Sequence, residues 1–143
     1  MDKLTVLRTA EKKGGEERKD ALVGVAIKAR ELGCDLDIGG GRAGGINIRY
    51  GSIGYALMDV NTNGRVKLYV QPHPGKESSD EFVDTMNAYI EADDNLEAKS
   101  FPINTYGHLE DPIEEIPQAS LEGFLEHAMS MIKGRFYVPH MEM

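Results

Sequence analysis

The stretch over residues 46–71 constrains the fold more than any other part of the chain. Apolar and polar residues alternate in INIRY, residues 46–50, as they do in a strand with one buried face. Gly51-Ser52 is well suited to a two-residue turn, and residues 61–64 suit a second turn before the next apolar run. The pattern predicts a three-stranded antiparallel meander over residues 46–71.

The register of this meander is predicted from its apolar residues. A two-residue first turn and an even-length second turn place the following side chains on one face: Ile46, Ile48, Tyr50, Ile53, Tyr55, Leu57, Val66, Leu68 and Val70. A three-residue second turn would pair Asp59 with Lys67, but it would divide the apolar residues between the two faces. Burial of one large aliphatic side chain stabilises by about 1.5–3 kcal/mol, whereas an exposed ion pair contributes about 0–1 kcal/mol. The even-length turn is therefore predicted.

Apolar residues at helical spacing predict three helices, over residues 16–32, 79–92 and 120–133. Between the second and third helices, a strand is predicted over Glu97–Asn104 and a less regular one over Leu109–Ile116. The order of elements predicts an α+β fold of two layers, in which the helices cover one face of a mainly antiparallel sheet.

The length of 143 residues is that of one ordinary domain, so residues 1–143 are interpreted as a single domain. The charged start, residues 1–15, is interpreted as a flexible N-terminal segment, with residues 4–7 as a short strand or part of a tail. Residues 135–143 are interpreted as a C-terminal tail that either packs back through Phe136 and Tyr137 or is flexible.

A glycine-rich segment, DIGGGRAGG, matches the spacing G-x-G-x-x-G from Gly39 to Gly44. Such a loop holds a dinucleotide where a helix N-terminus follows it, because the helix N-terminus binds the phosphates. Here the strand INIRY follows instead. No nucleotide and no other cofactor is predicted, and the segment is interpreted as a hairpin connection with Arg42 at its tip.

The predicted register also defines a candidate binding patch on the exposed face of the meander. Its members are Arg49, Arg65, Lys67 and Tyr69, with Arg42 reaching over from the glycine loop. Basic and aromatic residues on a sheet face can hold phosphate backbones and stacked bases. Met58 and Val60 are predicted on the same face, and apolar residues there favour a protein contact.

Charge and composition narrow the choice of partner. The formal net charge is −8, and an acidic surface repels nucleic acid at long range, so a nucleic-acid partner is disfavoured. The sequence contains no run of eighteen apolar residues, which predicts no membrane partner. One cysteine, Cys34, cannot form an internal disulfide, and a cytoplasmic location is predicted.

A metal-dependent nuclease requires an acidic residue on one strand and Glu/Asp-x-Lys on the next, so that the side chains converge on a metal. After Asp59 the next strand carries Arg65-Val-Lys67, with an arginine in the acidic position. The alternative Glu97-Ala-Lys99 lies beyond an intervening strand and helix. Since the four histidines also lack metal-binding spacing, no metal site and no catalytic residue is predicted.

Three segments carry a resemblance to a known group of domains: GRVKLYVQ, FVDTMNAYIEADDNLEA and SLEGFLEHAMSMIKGRFYVP. From Ile46 onward the chain resembles small bacterial α+β domains of unknown function, which are often associated with restriction-endonuclease-like nucleases. The resemblance implies a non-catalytic accessory or binding role near nucleic-acid metabolism. It transfers no catalytic residue to this chain.

The sequence therefore predicts a non-enzymatic binding module that acts through the exposed face of the meander. A protein partner is the first hypothesis, with self-association as homodimer its preferred form. A nucleic-acid-associated accessory module is the second hypothesis, and a metal-dependent nuclease-like hydrolase is the third.

Overall fold

The computed structural model describes residues 2–39, 43–50, 55–69, 79–96 and 106–136. Along the chain its elements are α1 (Lys3–Glu31), β1 (Asp35–Ile38), β2 (Gly45–Tyr50), β3 (Tyr55–Asn61), β4 (Val66–Tyr69), α2 (Ser79–Ala92), β5 (Tyr106–His108), a 3-10 turn (Ile113–Glu115) and α3 (Gln118–Phe136). The predicted α+β class is confirmed. None of the helices in the described ranges combines the length and apolar character needed to cross a membrane.

The five strands form one antiparallel sheet in the order β1-β2-β3-β4-β5, so each strand lies beside its neighbours in sequence. Its inner face carries Ile46, Ile48, Met58, Val60, Val66 and Leu68, all of them buried. Helix α1 packs against β1 and β2, α3 packs against α1 and β3, and α2 packs against α3. The prediction of helices covering one face of the sheet is confirmed, and none of the helices among the described residues lies on the other face.

The turn between β3 and β4 has three residues, and the predicted even-length turn is wrong. Asp59 pairs with Lys67 and Val60 with Val66, while the Asn61 N–H donates to the Arg65 carbonyl at 3.1 Å. Gly64 ends the turn with φ of 89°, as the left-handed residue of a three-residue hairpin loop usually does. The Asn61 side chain accepts hydrogen bonds from two backbone N–H groups across the turn, at 2.9 and 3.1 Å. Local turn chemistry therefore sets the register.

An irregularity between β2 and β3 prevents this register from exposing apolar residues. Ile48 pairs with Met58, but Arg49 pairs with Ala56, so Leu57 is an extra residue in β3. Such a bulge changes the face that successive residues occupy, and both Leu57 and Met58 are buried. Met58 and Val60 consequently face the core, and their predicted place on the exposed face is wrong.

The first turn of the meander also differs from the prediction. Tyr50 pairs with Tyr55, so a two-residue turn with Tyr50 opposite Ile53 is excluded. Gly51 and Ser52 themselves lie outside the described residues.

The N-terminal segment is helical from Lys3, where the sequence analysis predicted a flexible segment or short strand. Asp2 caps the helix, since its side chain accepts a hydrogen bond from the Thr5 N–H at 2.8 Å. Val6 and Ala10 are completely buried. The strand alternative rested on three apolar residues within four positions, a spacing that also fits one turn of a helix.

Gly15 divides α1 into two arms, a first arm of residues 3–14 and a second arm of residues 16–31. Its φ of 85° and ψ of 178° lie in a region open essentially to glycine alone. Glu11 and Lys19 would be about 12 Å apart along a straight helix, yet their side chains approach to 3.5 Å. The first arm thus folds back beside the second and closes the core from the N-terminal side.

The tip of these two arms is tied to the β3–β4 turn by a polar cluster. Arg18 donates two hydrogen bonds to the Glu114 carboxylate, at 2.9 and 2.8 Å, and a third to the Thr62 carbonyl at 3.2 Å. Lys13 donates to the Thr62 hydroxyl at 2.9 Å and to the Asn63 side chain at 3.1 Å. One turn therefore joins α1 to the segment before α3, and we call this group of residues the turn clasp.

Helices α2 and α3 meet at a stacked pair of rings. The rings of Tyr89 and His127 have centroids 4.6 Å apart and an interplanar angle of 14°. His127 Nε2 is buried without a hydrogen-bond partner among the described residues. This burial lowers the pKa of His127 below its ordinary value of 6.5.

We expect acid to weaken the α2–α3 contact through His127. In the unfolded chain the imidazole takes up its proton first, so the contribution of the neutral ring is complete above about pH 6.5 and is lost as the pH falls through the lowered folded value. The loss is about 1.4 kcal/mol for each unit of pKa difference. Urea unfolding at pH 7.5 and at pH 5.5 measures this loss of unfolding free energy. His127→Phe keeps an aromatic ring beside Tyr89, and equal pH dependence in this variant and the wild type would contradict the prediction.

The remaining predictions on the C-terminal third have mixed outcomes. Helix α2 has the predicted bounds, and α3 begins two residues earlier than predicted and extends to Phe136. The predicted strand Glu97–Asn104 lies outside the described residues. The predicted irregular strand over 109–116 is wrong, because the chain forms a 3-10 turn after Pro112. Residues 137–143 of the predicted tail lie outside the described residues.

Candidate functional site

The open side of the sheet, which we call the outer face, is built by strand alternation. In β2, β3 and β4 the residues of the outer face lie next to buried residues in the sequence. In β1 they alternate with half-buried residues. The members of the outer face are Asp35, Asp37, Asn47, Arg49, Asp59, Lys67 and Tyr69. In the described part of the chain no helix packs on this side, so these polar side chains face outward.

One row of residues crosses the outer face from strand to strand. Asp37 pairs with Asn47, Asn47 with Asp59, and Asp59 with Lys67. Directly opposed residues in antiparallel strands interact with each other, so this row carries two carboxylates, an amide and an ammonium group in sequence. The row carries charges of both signs, with its two carboxylates separated by the Asn47 amide.

Arg49 occupies the neighbouring row and is paired with β1. Its Nε lies 3.5 Å from an Asp37 carboxylate oxygen, and the two side chains are 45% and 56% exposed. An ion pair this exposed contributes about 0–1 kcal/mol. The guanidinium group is therefore held loosely and can exchange Asp37 for another acidic partner.

Tyr69 is fixed on the outer face by two neighbours. Its hydroxyl donates a hydrogen bond to Asp59 at 2.5 Å. The Lys67 ammonium lies 5.7 Å from the centre of the Tyr69 ring, within range of a cation–π contact. The aromatic ring is thus half-buried and lies between an acidic and a basic side chain.

The structure places the residues of the predicted patch as follows. Arg49, Lys67 and Tyr69 lie together on the outer face. Arg65 is exposed and directly precedes β4, two residues before Lys67 and on the same side of the sheet. Arg42 lies outside the described residues.

The acidic half of the outer face was not predicted from the sequence. Asp35, Asp37 and Asp59 lie among the cations, so three carboxylates offset Arg49, Arg65 and Lys67. The signal that would have found Asp59 was the glycine at position 64, which is typical of a three-residue turn and of the Asp59–Lys67 pairing. The outer face is therefore mixed in charge.

The nuclease hypothesis finds no completed constellation in the described part of the chain. Asp59 accepts its hydrogen bond from Tyr69 and is opposed by Lys67. No group of three or more His, Cys, Asp or Glu side chains suited to a metal occurs among residues 2–39, 43–50, 55–69, 79–96 and 106–136. Glu97 lies outside these ranges.

The described end of the glycine-rich segment is engaged by its neighbours in the sheet. The Ala43 carbonyl accepts a hydrogen bond from the Thr62 hydroxyl at 2.5 Å, and the Gly44 carbonyl accepts one from the Thr62 N–H at 3.0 Å. The Gly45 carbonyl accepts from the Gly39 N–H at 2.7 Å. These contacts close a hairpin and attach it to the turn clasp, as the strand after the glycines indicated.

The fold and the outer face define an α+β protein with an open antiparallel sheet, covered by helices on one side and carrying mixed charges on the other. Comparison of the chain with protein-family models, with curated proteins and with solved structures finds no match. The function is therefore inferred from the residues themselves.

Proposed function

We propose that this protein is a non-enzymatic binding module whose outer face binds a protein partner, with a second copy of the chain as the favoured partner. The observation that carries the proposal is the presence of both carboxylates and cations on a sheet face that no described helix covers. Tyr69, at the end of β4, supplies apolar area on this face, and tyrosine is enriched at protein interfaces.

The mixed charge favours a protein over a nucleic acid. A phosphate backbone requires uncompensated cations, whereas Arg49 is paired with Asp37, and Asp59 is opposed by Lys67. A protein surface offers both signs of charge, so the paired groups can exchange partners on binding without leaving a charge unmatched. The nucleic-acid-associated module remains the second hypothesis, supported by Arg65 and Arg49 as exposed cations on one side of the sheet.

Self-association is favoured because the outer face is complementary to itself in charge. In a two-fold symmetric dimer a residue i contacts j and the partner's j contacts i, so one surface must supply both members of each pair. The acidic strand β1 and the cations on β2 and β4 meet this requirement within one face. A rotation that places β1 of one protomer over β4 of its partner matches Asp35 with Lys67 in both directions.

We expect Arg49→Glu to weaken dimer formation by about tenfold or more. In the same arrangement β2 lies over β3 of the partner, so the substitution sets a carboxylate against the partner's Asp59. Sedimentation velocity over a concentration series measures the dimer dissociation constant. Arg8→Glu is the matched control: it makes the same charge change on an exposed arginine of the first arm, on the other side of the sheet. We expect this control to leave the dissociation constant unchanged.

A wild-type protein that stays monomeric at high concentration would remove self-association and leave a different protein as the partner. Binding of a single-stranded oligonucleotide at low salt, lost in Arg49→Glu and retained in Arg8→Glu, would instead favour the second hypothesis. A steep loss of that binding with added salt would support phosphate contacts.

A further inference from the structure

A pocket of about 380 Å³ lies between the two arms of α1 and the first two strands of the sheet. The first arm contributes Val6 and Leu7, the second arm contributes Val23 and Ala26, and the strands contribute Leu36 and Ile46. The pocket is open to solvent on one side, and its volume falls in the range of small-molecule sites, about 300–1,000 Å³.

The walls of this pocket are built from aliphatic side chains. Such surfaces offer water no hydrogen-bond partners, so a water molecule inside would lack the two to four polar contacts that hold an ordered one. A hydrocarbon group in the same place gains the free energy of removing from water its own surface and that of the half-buried wall residues Leu7, Val23 and Ala26. The pocket therefore selects an apolar group.

The rim of the pocket differs from its walls. It carries Lys3 and Arg30 with one acid, Glu31. Neither Lys3 nor Arg30 forms a salt bridge with a carboxylate of the described residues. In a chain with a net charge of −8, two unpaired cations at the mouth of an apolar pocket favour an anionic group at that position.

We propose that this pocket, which we call the arm pocket, binds an alkyl carboxylate, with the hydrocarbon chain between the arms and the carboxylate at Lys3 and Arg30. The exposure of Ile27, 55%, supports this occupant, because an exposed isoleucine on the lining widens the apolar mouth through which the chain enters. The arm pocket lies on the helix-covered side of the sheet, and its occupation is independent of the outer face.

The chain contains no tryptophan, so a single introduced tryptophan is an unambiguous reporter of the pocket. Ile27→Trp places it at the mouth, and Ala119→Trp places the same residue at an exposed position of α3 that does not line the pocket. Both are titrated with dodecanoate brominated next to its carboxylate, the end that lies at the mouth in the proposed complex, below the concentration at which it forms micelles. We expect saturable quenching with one molecule per chain at position 27 and weak, non-saturable quenching at position 119.

Two further variants in the Ile27→Trp background test separately how the pocket binds the hydrocarbon chain and how it binds the carboxylate. Ala26→Phe fills the pocket, and we expect it to abolish saturable quenching while circular dichroism reports an intact fold. Arg30→Glu is expected to weaken binding of dodecanoate roughly fivefold to tenfold and to leave binding of the neutral dodecanol unchanged. Arg8→Glu makes the same charge change on an arginine outside the lining. We expect it to leave the affinities for dodecanoate and for dodecanol unchanged. If Ala26→Phe does not fold, the dodecanoate affinities of Arg30→Glu and Arg8→Glu still test the proposal.

The proposal is overturned if quenching at position 27 does not saturate or is matched at position 119. It is also overturned if Arg30→Glu leaves the affinity for dodecanoate unchanged. Tight binding of methyl dodecanoate with no binding of dodecanoate would assign the pocket to esterified acyl chains and reject the free carboxylate. A dimer that Ala26→Phe dissociates and dodecanoate does not would give the pocket to a second copy of this chain.

Discussion

Arg18→Ala is expected to lower the free energy of unfolding by about 3 kcal/mol, because it leaves a carboxylate of the turn clasp without its partner. The Arg18 and Glu114 side chains are 12% and 13% exposed, and their bidentate pair is shielded from water. Arg18 also satisfies the Thr62 carbonyl, so the substitution removes three hydrogen bonds at once. Urea unfolding at pH 7 measures the loss.

Lys19→Ala provides the matched control on the next residue of the same helix. The Lys19–Glu11 pair is longer, 3.5 Å, and its side chains are 31% and 46% exposed, so its loss is expected to cost less than about 1 kcal/mol. Arg18→Lys keeps the charge without the planar fork, and we expect an intermediate stability. Similar losses for Arg18→Ala and Lys19→Ala would show that the turn clasp does not hold the layers together.

The same pair has a defined pH dependence. The hydrogen bonds from Arg18 hold the pKa of Glu114 below its ordinary value of 4.5. A carboxyl group with a lowered folded pKa contributes stability that is complete above its unfolded value and lost as the pH falls through the folded value. The difference between wild type and Arg18→Ala is therefore expected to narrow as the pH falls below about 4.5.

Gly45→Ala is the second substitution with a large expected effect, a loss of about 3 kcal/mol. A methyl group on Gly45 would lie 2.3 Å from the Val60 carbonyl oxygen and 2.7 Å from the Asn61 Cα. Both are backbone atoms of the paired strand β3, which cannot rotate away as a side chain can. The strand has to separate from its neighbour just where Ala43 and Gly44 accept hydrogen bonds from Thr62.

Gly39→Ala is the control at the opposite end of the same glycine-rich segment. There an added methyl group would lie 3.3 Å or more from its nearest neighbours, and we expect a change within about 1 kcal/mol. Thermal or urea unfolding of the two variants side by side gives the comparison. Equal stability of the two variants would contradict a close approach of the strands at position 45.

The parts of the fold that follow from periodicity were predictable from the sequence. The α+β class, the meander and helix α2 rest on alternation and helical spacing over many residues, where each apolar position adds to the same signal. The first arm was not predictable in this way, because Val6 and Ala10 become core residues only after the chain reverses at Gly15. That reversal depends on a single dihedral angle, which leaves no periodic trace in the sequence.

The bulge at Leu57 determines which residues of β3 lie on the outer face. The aliphatic residues favoured an even-length turn, since no regular pairing with a three-residue turn keeps them all on one side. The chain resolves this conflict with the extra residue Leu57, so that the turn follows Gly64 while Leu57 and Met58 both stay buried. A bulge needs tertiary packing to stabilise it, and the place of Asp59 opposite Lys67 was therefore not predicted.

The order of the strands bears on the entropy of closing the chain. The first three pairings, β1 with β2, β2 with β3 and β3 with β4, join segments separated by a few residues, and short loops cost little conformational entropy to close. The helical layer is the opposite case, since its two long helices come from the two ends of the chain. Arg18 and Glu114 are 96 positions apart in sequence, so the turn clasp closes a loop of about two-thirds of the chain. Contacts within the sheet are therefore mostly close in sequence, whereas the contacts that hold the helical layer join residues far apart in sequence.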